Sequence, residues 1–260
     1  MAKDFVYASK LPNAQGLYSY TPDDDAVWGE LFTRQVQALE GRMAPAYFDG
    51  VQALGLTPNR VPQVRDLDQR LAELSRAGVE GVPAIIPPTR FFTLLSERRF
   101  PVATFLRRRE DMDYIEEPDL FHEVFGHCPM MTDPRFVSFI EAFGQAALRV
   151  PKSMRWHMFR LFWFTVEFGL VDTPDGVRAY GAGIASSPSE AENVFDGDAE
   201  IKRFDLSEVL RTPYRIDIVQ PIYFVIASFD ALPQLLIGNI EAEIAAAMAA
   251  GDLPPVFDPA

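Results

Sequence analysis

The chain reads as a mainly α fold with a few short strands, and three observations carry that reading. Apolar residues recur at three- and four-residue spacing over long stretches, helix-start signals precede several of them, and alternating runs are rare and short. Its 260 residues, 48% of them hydrophobic, suffice for one substantial core. No linker or repeat divides the chain, so residues 1–21 are expected as an N-terminal arm rich in turn formers and 22–260 as a single domain.

Thr21-Pro22-Asp23-Asp24-Asp25 predicts a helix start, with an N-cap, a first-turn proline and acids against the positive end of the dipole. That helix should pass through Val27, Leu31, Val36 and Leu39 to about Glu40. A second is expected over Asp66–Ala77, with Leu67, Leu71 and Leu74 on one face and Gly78 as its stop. Arg135–Val150 and Lys152–Leu170 should be long helices. Thr173-Pro174-Asp175-Gly176 marks a turn before a short strand near Val177–Tyr180. Ser187-Pro188-Ser189-Glu190 has the form of a capping box. Arg215–Val219 alternates as a short strand, and Pro221–Ala250 is expected to be largely helical, interrupted near Pro233.

A net charge of −13 argues against nucleic acid or an anionic membrane surface as the main partner. Met1–Lys10 has no charged-then-apolar leader, and no apolar run reaches the length of a membrane span. The single cysteine, Cys128, cannot form an internal disulfide, which fits a reducing cytoplasm. Beside His127 it is either a ligand or, the reading preferred here, a small buried residue.

Two of the three histidines stand five apart in Phe121-His122-Glu123-Val124-Phe125-Gly126-His127. Forty residues on, Glu167 lies within the apolar run Leu161–Val171 with no charge partner nearby along the chain. A buried carboxylate is normally paired or metal-bound. Two imidazoles and one carboxylate on one face of an octahedral ion leave positions open for exogenous ligands, the ligand set of mononuclear non-haem iron(II) sites. Spacing disfavours the zinc-peptidase pattern His-Glu-x-x-His. In a regular helix a five-residue step separates side chains by about 140°, against about 40° for four residues. His122 and His127 converge only if the helix ends or distorts between them, which Gly126 and Pro129 would permit.

The segment from Glu117 through Pro118, Asp119 and Leu120 to Cys128-Pro129 resembles the iron-binding signature of the pterin-dependent aromatic amino acid hydroxylases. Phe162-Trp163-Phe164-Thr165-Val166-Glu167-Phe168-Gly169-Leu170 is similar to the segment supplying their carboxylate ligand, and Tyr180-Gly181-Ala182-Gly183-Ile184-Ala185-Ser186-Ser187 to a third block. The order is kept, and weaker similarity runs from about Val82 to the C-terminus. The resemblance implies His122, His127 and Glu167 as iron ligands and Glu123 as an acid near the pterin that supports oxygen activation. It implies Phe91 as the ring stacked on the pterin and Ile86 as a backbone contact to it. Arg107 would clamp the substrate carboxylate with Ser186 on its other side, and Trp163 would line the substrate pocket. From the residues alone, Glu123 reads as a helix-surface acid, and Ile86, Phe91 and Trp163 as core packing. Arg108 and Arg109 read as a solvated basic turn with Glu110 and Asp111 as partners. Ile115 stands where many relatives carry a small hydroxyl residue near the substrate's polar end.

The expected function is a tetrahydropterin-dependent Fe(II) monooxygenase that hydroxylates L-phenylalanine to L-tyrosine with O₂. The stop at Ala260, with no heptad-patterned tail, suggests a compact bacterial-type monomer. Tyrosine or tryptophan hydroxylation is the nearest alternative. A zinc hydrolase with Glu123 as base, and a non-catalytic aromatic-ligand sensor, are more distant ones.

Overall fold

Thr21 accepts from the Asp24 amide while Asp24 answers to the Thr21 amide, and this reciprocal cap starts α1 (Pro22–Leu39) where the sequence placed it. The computed structural model describes residues 7–257 except Ala84, Tyr114 and Glu116, so the first six residues of the expected arm and the last three of the chain lie outside it. The described part of the arm has neither helix nor strand. It is tied to the body by Lys10 on Asp24 and by Tyr18 on Gln63.

Helices dominate as expected. After α1 come α2 (Pro45–Ala53) and α3 (Val64–Ser75). The strand β1 (Gly78–Val82) follows, then α4 (Pro88–Ser96) and β2 (Arg99–Ala103). β1 and β2 pair in parallel across the α4 crossover. Two details correct the sequence reading. α3 ends because Arg76 takes a left-handed conformation (φ 58°), not at Gly78, which opens β1. α2 and α4, each beginning at a proline, went unread.

The long helix α5 (Pro134–Arg149) matches expectation. The one expected over Lys152–Leu170 is shorter and compound: α6 (Arg155–Phe162) passes into a π-helical turn over Trp163–Glu167. The chain then turns directly into β3 (Gly169–Thr173), whose apolar Leu170 and Val171 are buried sheet residues. β4 (Gly176–Ala179) returns antiparallel to β3 after the expected turn. Beyond it lie α7 (Ala182–Ser186), α8 (Pro188–Asp196), β5 (Glu200–Arg203) and α9 (Leu206–Arg211).

The C-terminal region departs most from expectation. Arg215–Val219 forms bends rather than a strand, with Arg215 folded back onto Asp217. The strand is instead β6 (Ile222–Ile226), five buried residues in a row, which pairs in parallel with both β3 and β5. A fully buried strand reads as a continuous apolar run, indistinguishable by period from a buried helix. Only α10 (Ala231–Gln234) and α11 (Ile240–Ala250) of this region are helical. The four-stranded sheet thus has the order β4-β3-β6-β5, and no described helix is long and apolar enough to cross a membrane.

Candidate metal centre

His122–His127 forms a π-helical turn. Its i→i+5 bonding brings the fifth residue round over the first, so the spacing that defeats an α-helix suits this turn. Phe121, Val124 and Phe125 anchor it in the core: Phe121 and Phe125 stack on each other at 4.8 Å, and Trp28 and Phe32 of α1 meet them edge-on. Gly126 contributes by having no side chain. A Cβ there would lie 3.0 Å from both the Cβ and the carbonyl oxygen of Ala182, and its absence lets α7 pack against the turn. The second π turn, Trp163–Glu167, delivers Glu167 from the opposite side.

The two turns bring three ligand atoms together. His122 Nε2 and His127 Nε2 are 3.3 Å apart, and Glu167 lies 3.5 Å from the first and 3.2 Å from the second. Donors on one face of an ion with bonds of about 2.1 Å sit roughly 3 Å from one another, so this triangle fits a first-row transition metal. Glu123 is also near, its ligand atom within 4.8 Å of both imidazole nitrogens, but its approach to His127 is 3.9 Å. Electrostatics separate the two acids. Burial, then the charges of Glu167 and Asp119, push Glu123 well above the usual carboxylate range. Burial acts on Glu167 in the same sense, but the two imidazoles outweigh it and hold that acid below its usual value. Of the two acids, Glu167 makes the tighter triangle with the imidazoles, and Glu123 lies beside it. Burial pushes His122 down to about 4, keeping the imidazole neutral and free to coordinate.

The residues around the triad orient it. His122 Nδ1 lies 2.8 Å from Ser186 Oγ. Asp119, wholly buried, accepts from the His122 amide at 3.0 Å and caps the segment. The same carboxylate takes a fork from Arg107, whose Nε and one terminal nitrogen each approach to 2.8 Å, and the Arg107 amide at 3.0 Å. Burial works against both charges of this pair, yet their mutual attraction prevails, keeping Asp119 low and Arg107 high. Asp119 was not singled out in the sequence. Its place three residues before His122 is an N-cap position, the signal that could have found it.

Beside the triad opens a cavity of about 350 Å³. Ile86, Phe91, Phe100, Pro118, Phe159 and Phe162 wall it, and His122, Glu123, His127 and Glu167 form its polar end. Ile86, Phe91 and Glu123 are therefore gathered with the ligands. Phe91 is half-buried, set edge-on to Phe162 at 5.2 Å. Phe100, stacked on His127 at 4.3 Å, and Phe159 and Phe162 were missed because nothing in their local sequence separates them from core residues.

Arg107, Trp163 and Ser186 do not line this cavity. Trp163 stacks on Tyr214 at 4.5 Å and donates to Gln220 at 2.9 Å. Arg109 pairs with Glu30 of α1, not with Asp111, while Arg108 faces Glu110 as expected. His157, the third histidine, is half-buried away from the cluster. Cys128 is fully buried with its sulfur toward the Glu123 carbonyl at 3.5 Å, the packed residue the sequence reading preferred.

The family model for biopterin-dependent aromatic amino acid hydroxylases matches residues 1–242. The chain belongs to that family. It is 45% identical to the phenylalanine-4-hydroxylase of Vibrio cholerae, over 97% of this chain and 88% of that protein. With the Pseudomonas aeruginosa phenylalanine-4-hydroxylase it shares 43% identity, over 99% and 98%. Among solved structures, the phenylalanine hydroxylase of Legionella pneumophila superposes with a TM-score of 0.94 at 42% identity, covering 96% of this chain and 100% of that one. The Chromobacterium violaceum enzyme, solved with iron(III) and 7,8-dihydrobiopterin, gives 0.87 at 37% identity, covering 96% and 90%. These family members share the mainly α fold and single catalytic domain found here.

Proposed function

We propose that this chain is a phenylalanine 4-monooxygenase, converting L-phenylalanine to L-tyrosine with O₂ and a reduced pterin at Fe(II). The observation that carries the reading is the convergence of His122, His127 and Glu167 within 3.2–3.5 Å of one another at the end of a cavity walled by Phe91. When bound, Fe(II) and the reduced pterin supply the redox chemistry that divides O₂ between the ring and the pterin.

The chain's own residues hold, orient and exclude water. His122, His127 and Glu167 would hold the ion, which as a three-ligand set would leave it able to bind exogenous ligands. Phe91 offers a ring face to the pterin, and Ile86 borders the same space. Glu123, whose acid burial and the charges of Glu167 and Asp119 hold well above the usual carboxylate range, lies beside the ligands within hydrogen-bonding reach of a group bound in the cavity. On the substrate side, Asp119 engages two of the three guanidinium nitrogens of Arg107, and the third is assigned to the substrate carboxylate. Ser186 and Trp163 border that side in this reading.

The protein is read as a cytoplasmic monomer, in keeping with its one buried, unpaired cysteine. Sedimentation equilibrium near 29.2 kDa checks the assembly state. The deciding experiment is an Fe(II)-reconstituted assay with reduced pterin and each of the three aromatic amino acids, read by product mass and oxygen uptake. Tyrosine from phenylalanine is expected. Products from tyrosine or tryptophan alone would reassign the substrate, and hydrolysis without oxygen uptake would refute the class.

A further inference from the structure

We infer that α2 is a brace for the metal centre and that Tyr47 is a positioning residue for His127. The π turn His122–His127 runs into Cys128-Pro129. In the i→i+5 register of this turn the amide after that of Cys128 would come from residue 129, but that residue is proline and has no N–H, so the turn's bonding stops there. At that end the fully buried Tyr47 donates its hydroxyl to Phe125 O at 2.7 Å.

A second contact from the same helix meets the same corner. Gly50 lies so close to Pro129 that a Cβ there would sit 2.2 Å from the Pro129 carbonyl oxygen, a backbone atom that cannot swing aside. One turn of α2 therefore touches the π turn's end twice, by a hydrogen bond and by backbone contact.

His127 needs that support more than His122 does. Among the described residues, the buried Nδ1 of His127 has no hydrogen-bond partner, whereas that of His122 meets Ser186. Away from the ligand cluster, the His127 ring is held by its stacking on Phe100 and by the backbone that carries it. Without the Tyr47 bond the turn can relax toward another register, and ion binding must re-form it. This inference rests on the metal site of the proposed function, but its test needs no turnover.

The experiment titrates Co(II) into metal-free wild type and Tyr47→Phe, following d–d absorption, with thermal melting of both metal-free proteins. Tyr180→Phe is the control, because the buried Tyr180 hydroxyl has no hydrogen-bond partner among the described residues. The expected result is Co(II) affinity about tenfold weaker in Tyr47→Phe, within the range typical of lost outer-shell partners. A changed d–d spectrum and little change in Tyr180→Phe are also expected. If Tyr47→Phe melts lower but keeps wild-type affinity and spectrum, Tyr47 is merely structural and the inference fails. Gly50→Ala perturbs the same corner from outside the hydrogen bond and should shift the spectrum in the same way. Should Tyr47→Phe not fold, a wild-type spectrum in folded Gly50→Ala overturns the brace. Wild type that binds no Co(II) would refute the metal site itself.

Discussion

Ser186 Oγ gives its proton to the Ala182 carbonyl at 2.9 Å and so must accept from His122 Nδ1 at 2.8 Å. That relationship fixes the tautomer: the proton stays on Nδ1, and the Nε2 lone pair points at the ligand cluster. Ser186 thus acts through His122, in addition to the substrate contact its family position implies. Ser186→Ala should weaken metal binding about tenfold, with Ser186→Thr recovering most of it. Competition titration with a chelator measures both. Unchanged affinity in the alanine variant would return Ser186 to a purely substrate-side role.

The triad itself makes the sharpest prediction. His122→Ala, His127→Ala and Glu167→Ala should each lose most bound iron and all hydroxylation. Metal analysis of the purified variants is the check. His157→Ala should keep its iron, since no contact joins its imidazole to the cluster; its half-buried setting predicts a modest loss of stability instead. Normal iron and activity in any triad variant would remove that residue from the centre.

Arg107 is tied to the iron side through Asp119, and this changes what its loss should do. Its side chain is 7% exposed and that of Asp119 0%, so Arg107→Ala strands a carboxylate in the core. Breaking such a pair costs about 3–5 kcal/mol, a melting decrease on the order of 10 °C. Because Asp119 also holds the His122 amide, iron content should fall as well. Arg107→Lys keeps a charge without the planar fork. It should remain better folded while raising the phenylalanine KM about tenfold or more. Arg109→Ala breaks only an exposed pair with Glu30, and near-wild-type stability and kinetics are expected. Equal, small effects at both positions would place Arg107 outside substrate recognition.

The proposed ligand set was legible because histidine is scarce in this chain and because Glu167 sits in an apolar run with no charge partner nearby along the chain. What could not be read was the conformation that unites them. A five-residue step argues against a regular helix, and only tertiary packing, here α7 against Gly126 and α2 against Pro129, selects a π turn over a helix end. The N-terminal helix was readable from its cap, which is a local interaction. β6 was not, since Ile222-Tyr223-Phe224-Val225-Ile226 is apolar on both faces and carries no period to identify it. The substrate side was legible through family resemblance alone: a buried Arg107–Asp119 fork is invisible in a run of three arginines.

Glu190 gives the last prediction, and it departs from its sequence reading. The Ser187 hydroxyl caps α8 by accepting from the Glu190 amide at 3.4 Å. The Glu190 carboxylate does not complete the box. It turns inward, accepting from the Gln220 amide at 3.0 Å and from the Tyr223 hydroxyl. Burial raises its pKa to about 7 despite those two hydrogen bonds. The folded protein therefore retains a proton that the unfolded chain gives up near pH 4.5. Wherever the folded state binds more protons, stability falls as pH rises. The neutral acid's contribution is full below about pH 4.5 and is lost progressively as pH climbs toward 7, amounting to as much as about 3 kcal/mol. Glu190→Gln keeps an acceptor for Gln220 and Tyr223 but cannot ionise. Its stability should be nearly level between pH 5 and 7 where wild type declines, and it should exceed wild type at pH 7.5. Denaturant melts of both proteins across that range decide the matter, and parallel pH profiles would show that Glu190 is already ionised in the fold at pH 5.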